Sequence, residues 1–192
     1  MLSGNGVFTY TPGTNYVGTD VFTYRTSDGQ ATSGIAMVAI TVRPPAAVVY
    51  EDDFVRGTDP GELTPWVVKQ GNWGVTGGEL RGGTNPVNSY AYVYLTNSWT
   101  DCVVEGKVKF SANAYGGGLG GRLNSVTGTR YVAWIYPDGS AGGSRVMRLF
   151  KYSSWTSFTQ LGSSVSLPSV GTNYHTLKLV VQGSRIAVQY DG

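Results

Sequence analysis

The sequence predicts an all-β protein made of two unequal β units, and three observations carry that expectation. The 192 residues include 28 Gly, 13 Tyr and 5 Trp, with only 14% charged residues. Such a mixture suits strands joined by tight turns and suits neither disorder nor helical bundles. Apolar and polar residues alternate in short runs, the period of a strand with one buried face, and clusters of Gly, Pro, Asp and Ser punctuate those runs as turns.

Residues 1–42 contain three such runs, Val7 to Tyr10, Asp20 to Arg25 and Ile35 to Val42. Pro12-Gly13, Gly18-Thr19-Asp20 and Asp28-Gly29 supply the turns, where Asp20 and Asp28 are expected to cap backbone donors. Phe-Thr-Tyr is written twice, at residues 8–10 and 22–24. Phe8 and Phe22 would face one way, with Tyr10 and Tyr24 two residues on, so the repetition reads as paired aromatic packing. Three or four strands cannot close a sandwich that takes about seven strands and about 100 residues. The segment is therefore expected to be the back half of a domain. The stretch GNGVFTYTPGTNYVGTDVFTYRTSDG followed by AMVAITV resembles the C-terminal half of bacterial Ig-like, cadherin-like tandem repeats of large surface proteins. That resemblance spans residues 4–42 and implies that the repeat's earlier strands precede this chain.

Residues 43–50 read as a linker, because Pro44-Pro45 cannot donate to a ladder and favours a stiff extended segment. Residues 51–192 then carry candidate strands at Trp66 to Val75, Tyr90 to Leu95, Cys102 to Phe110, Tyr131 to Tyr136, Val146 to Tyr152, Tyr174 to Val181 and Arg185 to Tyr190. Thr76-Gly77-Gly78, Pro137-Asp138-Gly139 and Gly183-Ser184 separate them, a spacing that suggests a two-sheet sandwich of jelly-roll type. The motifs EDDF, PWVVKQGNWGVTGGELRG, SWTDCVVEGKVKF, GGGLGGRLNS, YVAWIYPDG, VMRLFKYSS and YHTLKLVVQGSRIAVQYDG fall in an order similar to concanavalin A-like lectin/glucanase domains of the laminin-G-like kind. The resemblance implies a jelly roll whose pattern continues beyond Gly192. The chain is accordingly expected to be a segment of a longer secreted or cell-surface protein with neighbouring domains. It also implies carbohydrate binding, and a structural Ca²⁺ near the first strand, a location that Asp52 and Asp53 match.

Several function classes are disfavoured. The net charge is +2 and the basic residues are scattered singly, so no electrostatic stripe for a nucleic acid exists. No apolar run approaches the roughly 18 residues of a membrane-spanning helix, and the first residues lack the pattern of a secretion signal. Insertion into a membrane is not expected, and any export signal would lie outside this chain. The one cysteine, Cys102, permits no internal disulfide and alternates with Val104 and Val108 as a small core residue. The one histidine, His175, reads as a surface or strand-edge residue and leaves no Cys/His cluster for zinc. Glycoside hydrolysis needs two carboxylates flanking the scissile bond. Glu105 stands among Val, Gly and Lys, and Glu51-Asp52-Asp53 precedes the first strand, so an enzyme is not expected.

The candidate binding residues follow from alternation. With Tyr131, Ala133 and Ile135 inward, Val132, Trp134 and Tyr136 point out of the sheet. With Met147 and Leu149 inward, Arg148, Phe150 and Tyr152 point out too, and with Leu119 and Leu123 inward Arg122 joins them. Gly116, Gly117, Gly118, Gly120 and Gly121 would leave a bare floor. Arg122, Trp134, Tyr136, Arg148 and Tyr152 thus form a candidate carbohydrate-binding set, because sugar C–H faces stack on rings while guanidinium donors bind hydroxyls. The alternative is that loops or a neighbouring module cover these side chains. Tyr90, Tyr92 and Tyr94 form a second alternating set, and either they or Ala91, Val93 and Leu95 could be the buried one. The expected function is non-catalytic carbohydrate binding or adhesion. The alternative is a structural stalk or protein-contact module, with a glycoside hydrolase placed last.

Overall fold

The computed structural model describes residues 7–14, 16–43, 48–82 and 90–192, and every regular element in them is a strand. The linker prolines Pro44 and Pro45, with Ala46 and Ala47, lie outside the described residues. The chain divides into two compact units, Met1–Glu51 and Asp52–Gly192.

In the first unit β1 (Gly18–Tyr24) and β2 (Ala36–Val42) pair antiparallel, with Phe22 opposite Val38. Alternation settles which residues of β2 are shielded: Ala36, Val38, Ile40 and Val42 are partly buried while Met37, Ala39 and Thr41 are exposed. Phe8 meets Phe22 edge to face, ring centroids 5.3 Å apart, so the repeated motif does pair its phenylalanines. Its first copy is no strand, however, since Phe8 makes only a single bridge there. Asp28 caps its turn as expected, with Oδ1 accepting the backbone N–H groups of Gln30 and Ala31 at 2.9 and 2.7 Å.

The second unit contains β3 (Val67–Gln70), β4 (Trp73–Thr76), β5 (Glu79–Gly82), β6 (Tyr92–Tyr94), β7 (Cys102–Val108), β8 (Gly117–Gly121), β9 (Arg130–Tyr136), β10 (Val146–Tyr152), β11 (Phe158–Ser166), β12 (His175–Gln182) and β13 (Arg185–Tyr190). One sheet has the order β11-β10-β9-β8 and another the order β13-β12-β7, with two-stranded ladders β3-β6 and β4-β5 beside them. Between the two larger sheets lies an aliphatic core of Ala133, Ile135, Met147, Val170, Leu177, Leu179 and Val181, closed by Phe110. Leu177, Leu179 and Val181 alternate along β12, which is why that strand faces the core along its whole length. Cys102 lies at the margin of this core, partly buried, in line with its alternation with Val104 and Val108.

The run expected as one strand from Trp66 to Val75 is two strands. Gly71 takes a φ of +87°, and a side chain there would collide with Ala91, so the backbone turns between β3 and β4. Glu79 in β5 accepts contacts from Lys109, Arg81 and Tyr174, which tie this hairpin to residues flanking β7 and β12. His175 stacks on Tyr190 with ring centroids 5.1 Å apart. Its Nδ1 lies 2.7 Å from Asp191 Oδ2 and its Nε2 lies 2.7 Å from the Val170 carbonyl oxygen. It is therefore a fastener between the loop before β12 and the chain after β13, more enclosed than a plain edge residue.

Candidate functional site

Strand β9 sends alternate side chains into two different environments. Tyr131, Ala133 and Ile135 join the aliphatic core, as the alternation predicts. Arg130, Val132, Trp134 and Tyr136 lie on the opposite side, and the β9-β10 register places Arg148 across from Trp134, Phe150 across from Val132 and Tyr152 across from Arg130. Trp134, Tyr136, Arg148 and Tyr152 therefore do share a face of the sheet.

That face is covered. Val132, Tyr136, Phe150 and Tyr152 are all buried, and they form a second cluster with Trp134 and Val146. The rings of Tyr90 and Phe158 supply the lid. Tyr90 lies 5.6 Å from Trp134 and 6.0 Å from Phe158, while Phe158 lies 5.0 Å from Phe150 and 4.9 Å from Tyr152. Tyr115 closes the far end, 5.8 Å from Tyr136. The open aromatic cradle expected from the sequence is thus an aromatic core. Of the second tyrosine set, Tyr92 packs toward Tyr152 and Trp155, and Tyr94 toward Trp155, while Ala91, Val93 and Leu95 are partly buried as well, so neither face of this strand is open. Burial pushes the Tyr90 phenol up to about 12, and raises Tyr136 and Tyr152 as well, so these rings stay neutral at ordinary pH.

The glycine floor is closed for a different reason. A side chain at Gly118 would collide with the carbonyl oxygen of Ala133, and one at Gly116 with that of Ile135. These glycines let backbone approach backbone, and the space above them is not free.

Arg122 leaves the set altogether. It sits just beyond β8 with a φ of +53°, and its guanidinium turns toward the other sheet's loops. Nε donates to the Thr100 carbonyl at 2.7 Å, and Nη2 donates to Asp101 Oδ1 and to the Gly183 carbonyl, both at 3.0 Å. Arg148 instead donates through Nε to Ser164 Oγ at 3.0 Å and lies over the Tyr136 ring. The two arginines expected to flank one surface hold different parts of the molecule.

A groove of about 520 Å³ opens where β9 begins and β10 ends. Its walls come from Leu95 to Thr100, from the β8-β9 loop, and from Arg130, Tyr131, Lys151 and Tyr152. The loop is held by Asn124, whose Oδ1 accepts the N–H groups of Val126 and Thr127, both at 3.0 Å, and whose backbone exchanges hydrogen bonds with Gly128 and Thr129. Trp99 and Tyr131 offer rings to the groove, Asn97 and Ser98 offer hydrogen-bonding groups, and Arg122 and Tyr152 of the expected set are both in its wall.

Arg130 is the unusual member. It is 6% exposed and is enclosed by three rings, with its Cζ 3.7 Å from the Tyr152 centroid, 4.6 Å from Tyr92 and 5.2 Å from Trp155. Nη1 donates to the Gly128 carbonyl at 2.6 Å, whereas Nη2 is buried without a hydrogen-bond partner among the described residues. Burial lowers its pKa, but a guanidinium remains charged. No run of the sequence singles out Arg130, although extending the β9 alternation by one residue toward the N-terminus puts it on the Trp134 side. Trp99 and Lys151 carry no local pattern that marks them as neighbours of that groove.

Asp52 and Asp53 do not fit a calcium cradle as folded. Both Asp52 oxygens accept from the Arg56 guanidinium at 2.8 Å, and Oδ2 also accepts from Trp66 Nε1 at 2.9 Å. These bonds hold its carboxyl well below the usual carboxylate range. Asp53 Oδ1 accepts the Val55 N–H at 2.9 Å. Ca²⁺ takes six to eight oxygen ligands, and among the described residues no three Asp, Glu, His or Cys side chains converge. The pair makes a guanidinium clasp.

Comparison with known families gives a match near the start of the chain. The family model of the bacterial Ig domain covers residues 1–41. That part of the chain is similar to a bacterial Ig-like repeat. No curated protein and no solved structure matches the chain significantly.

Proposed function

We propose that residues 51–192 are a non-catalytic glycan-binding or adhesion module of the concanavalin A-like, laminin-G-like kind, carried by a secreted or cell-surface protein in which the Ig-like repeat acts as a spacer. The observation that carries this reading is the groove at the start of β9. It combines the rings of Trp99 and Tyr131 with the polar side chains of Asn97, Ser98 and Arg122, the mixture that sugar faces and hydroxyls require. No Asp or Glu lines it, so the carboxylate pair of glycoside hydrolysis has no counterpart there. The binding site is accordingly placed in the groove and not on the covered Trp134 face.

Affinity electrophoresis of the whole chain through gels containing a panel of polysaccharides tests this. Retardation by at least one polysaccharide, lost in Trp99→Ala, is the expected outcome. Retardation unchanged in that variant would remove the groove as the site. Silence across the panel would leave the structural reading, which the Ig-like repeat by itself favours: two modules of a stalk or protein-contact array.

A further inference from the structure

We propose that Arg122 engages a saccharide hydroxyl in the groove through Nη1 alone, and that Asp101, outside the groove wall, is its positioning residue; this rests on the glycan-binding reading above. The argument starts from how fully the guanidinium is fixed. Its Nε and Nη2 donate to the Thr100 carbonyl, to Asp101 Oδ1 and to the Gly183 carbonyl at 2.7 to 3.0 Å. Asp101 Oδ1 also accepts the Gly183 N–H at 2.9 Å, which ties the β12-β13 turn to the residue before β7. One carboxylate oxygen thus gathers the Arg122 side chain and that turn. A guanidinium held along this edge by acceptors from two other segments is ordered before any ligand arrives, so binding does not bear the entropy of fixing a long side chain.

The nitrogen left over is Nη1. Among the described residues it has no hydrogen-bond partner, and unlike Arg130 Nη2 it is not sealed from solvent. Arg122 lines the groove, whereas Asp101 and Gly183 do not. Its Cζ lies 5.9 Å from the centroid of the Tyr131 ring, which is also in the groove wall. A sugar stacked on a ring carries hydroxyls at its rim, and a charged N–H donor bonds such an oxygen roughly twice as strongly as a neutral donor does. The ion pair with Asp101 balances the arginine, so this donor suits uncharged hydroxyls and demands no anion. The backbone points the same way. Arg122 holds a φ of +53°, a left-handed conformation that a residue with a side chain keeps only where its surroundings impose it, as ligand clamps do.

Affinity electrophoresis of the 192-residue chain through gels of laminarin, xylan, galactomannan or pullulan tests the proposal, with the dissociation constant taken in the gel that retards it most. Arg122→Gly, which suits the left-handed backbone while deleting the guanidinium, should weaken binding about tenfold. Asp101→Ala should weaken it about threefold to tenfold. Asp101→Asn should weaken it less, because the amide oxygen still accepts both bonds. In the Arg122→Gly background Asp101→Ala should change affinity by less than about twofold, since a positioning residue acts only through the group it positions. Near- and far-ultraviolet circular dichroism checks the fold of each variant, and Arg122→Gly with Asp101→Asn keeps the test decisive where Asp101→Ala does not fold. Retardation lost in Trp99→Ala but unchanged in Arg122→Gly overturns the proposal and leaves glycan binding in the groove standing. An equal loss from Asp101→Ala in both backgrounds removes Asp101 as the positioning residue. Silence in these gels and across the wider panel overturns both readings.

Discussion

The two sides of the four-stranded sheet are packed by opposite chemistries. On one side Ala133, Ile135, Leu177, Leu179 and Val181, each 0% exposed, form an aliphatic layer, with the Tyr190 hydroxyl packed at its margin and lacking a hydrogen-bond partner among the described residues. On the other, rings pack on one another and those of Tyr92, Tyr152 and Trp155 enclose Arg130, and the buried atoms Arg130 Nη2, Trp134 Nε1 and Trp155 Nε1 have no hydrogen-bond partner among the described residues. The aromatic side carries more of this cost, since a buried unsatisfied group costs about 1–3 kcal/mol. The difference teaches that one strand, β9, can serve two layers: its core-facing residues anchor the sandwich, and its other residues build an aromatic layer around a buried guanidinium.

The comparison can be broken most forcefully from the aliphatic side. Leu177→Ala should destabilise by about 2–5 kcal/mol in urea unfolding, because the cavity lies at the centre of the aliphatic layer. A loss under about 1 kcal/mol would mean that this layer is not the main core.

Charges that do have partners provide the next test, since they should contribute where Arg130 does not. Asp52→Asn should cost about 1–3 kcal/mol, as Arg56 and Trp66 lose a shared charged acceptor. The Asp52 carboxyl is depressed in the folded protein, so its contribution is present above about pH 4 and is lost as pH falls through the lower folded value. A melting-temperature profile in acid should therefore be flatter for Asp52→Asn than for the unsubstituted chain.

His175 gives a smaller effect of opposite sign. Burial works against its charged form, but the bonds to Asp191 and to the Val170 carbonyl prevail and raise it. Both partners accept, so only the doubly protonated ring can donate to both. Its contribution is complete below about pH 6.5 and is lost as pH rises through the folded value. His175→Gln should remove that segment of the stability profile; an unchanged alkaline slope would show that the ring does not titrate as a fastener.

The smallest change is expected at the most unusual residue. Arg130→Met should leave stability within about 1 kcal/mol of the original or raise it, because an apolar chain of similar length fills the ring cage without an unpaired charge. A loss above about 3 kcal/mol would make Arg130 a structural keystone and would erase the contrast between the two layers.

Much of this architecture could be read in advance where a strand alternates cleanly. Val146 to Tyr152 and Arg185 to Tyr190 coincide with β10 and β13, and the inward residues of β9 are those expected. β11 escapes such reading because FTQLGSSVS is mostly exposed and Ser-rich, an edge strand held by pairing with β10 and not by a buried face of its own. The candidate site was legible only in part. The shared face of Trp134, Tyr136, Arg148 and Tyr152 follows from the two-residue period, but its cover by Tyr90 and Phe158 brings residues together across long stretches of chain.

The residues themselves determined the all-β class, the Ig-like character of residues 1–41 and the parity of side chains along β9 and β10, because these depend on local period and turn chemistry. Tertiary structure alone decided that the outward aromatics are enclosed, that Arg122 turns to Asp101 and Gly183, and that Arg130 is caged by rings with no ion pair among the described residues. Parity is a property of one strand, whereas enclosure and charge balance depend on which distant segments arrive beside it.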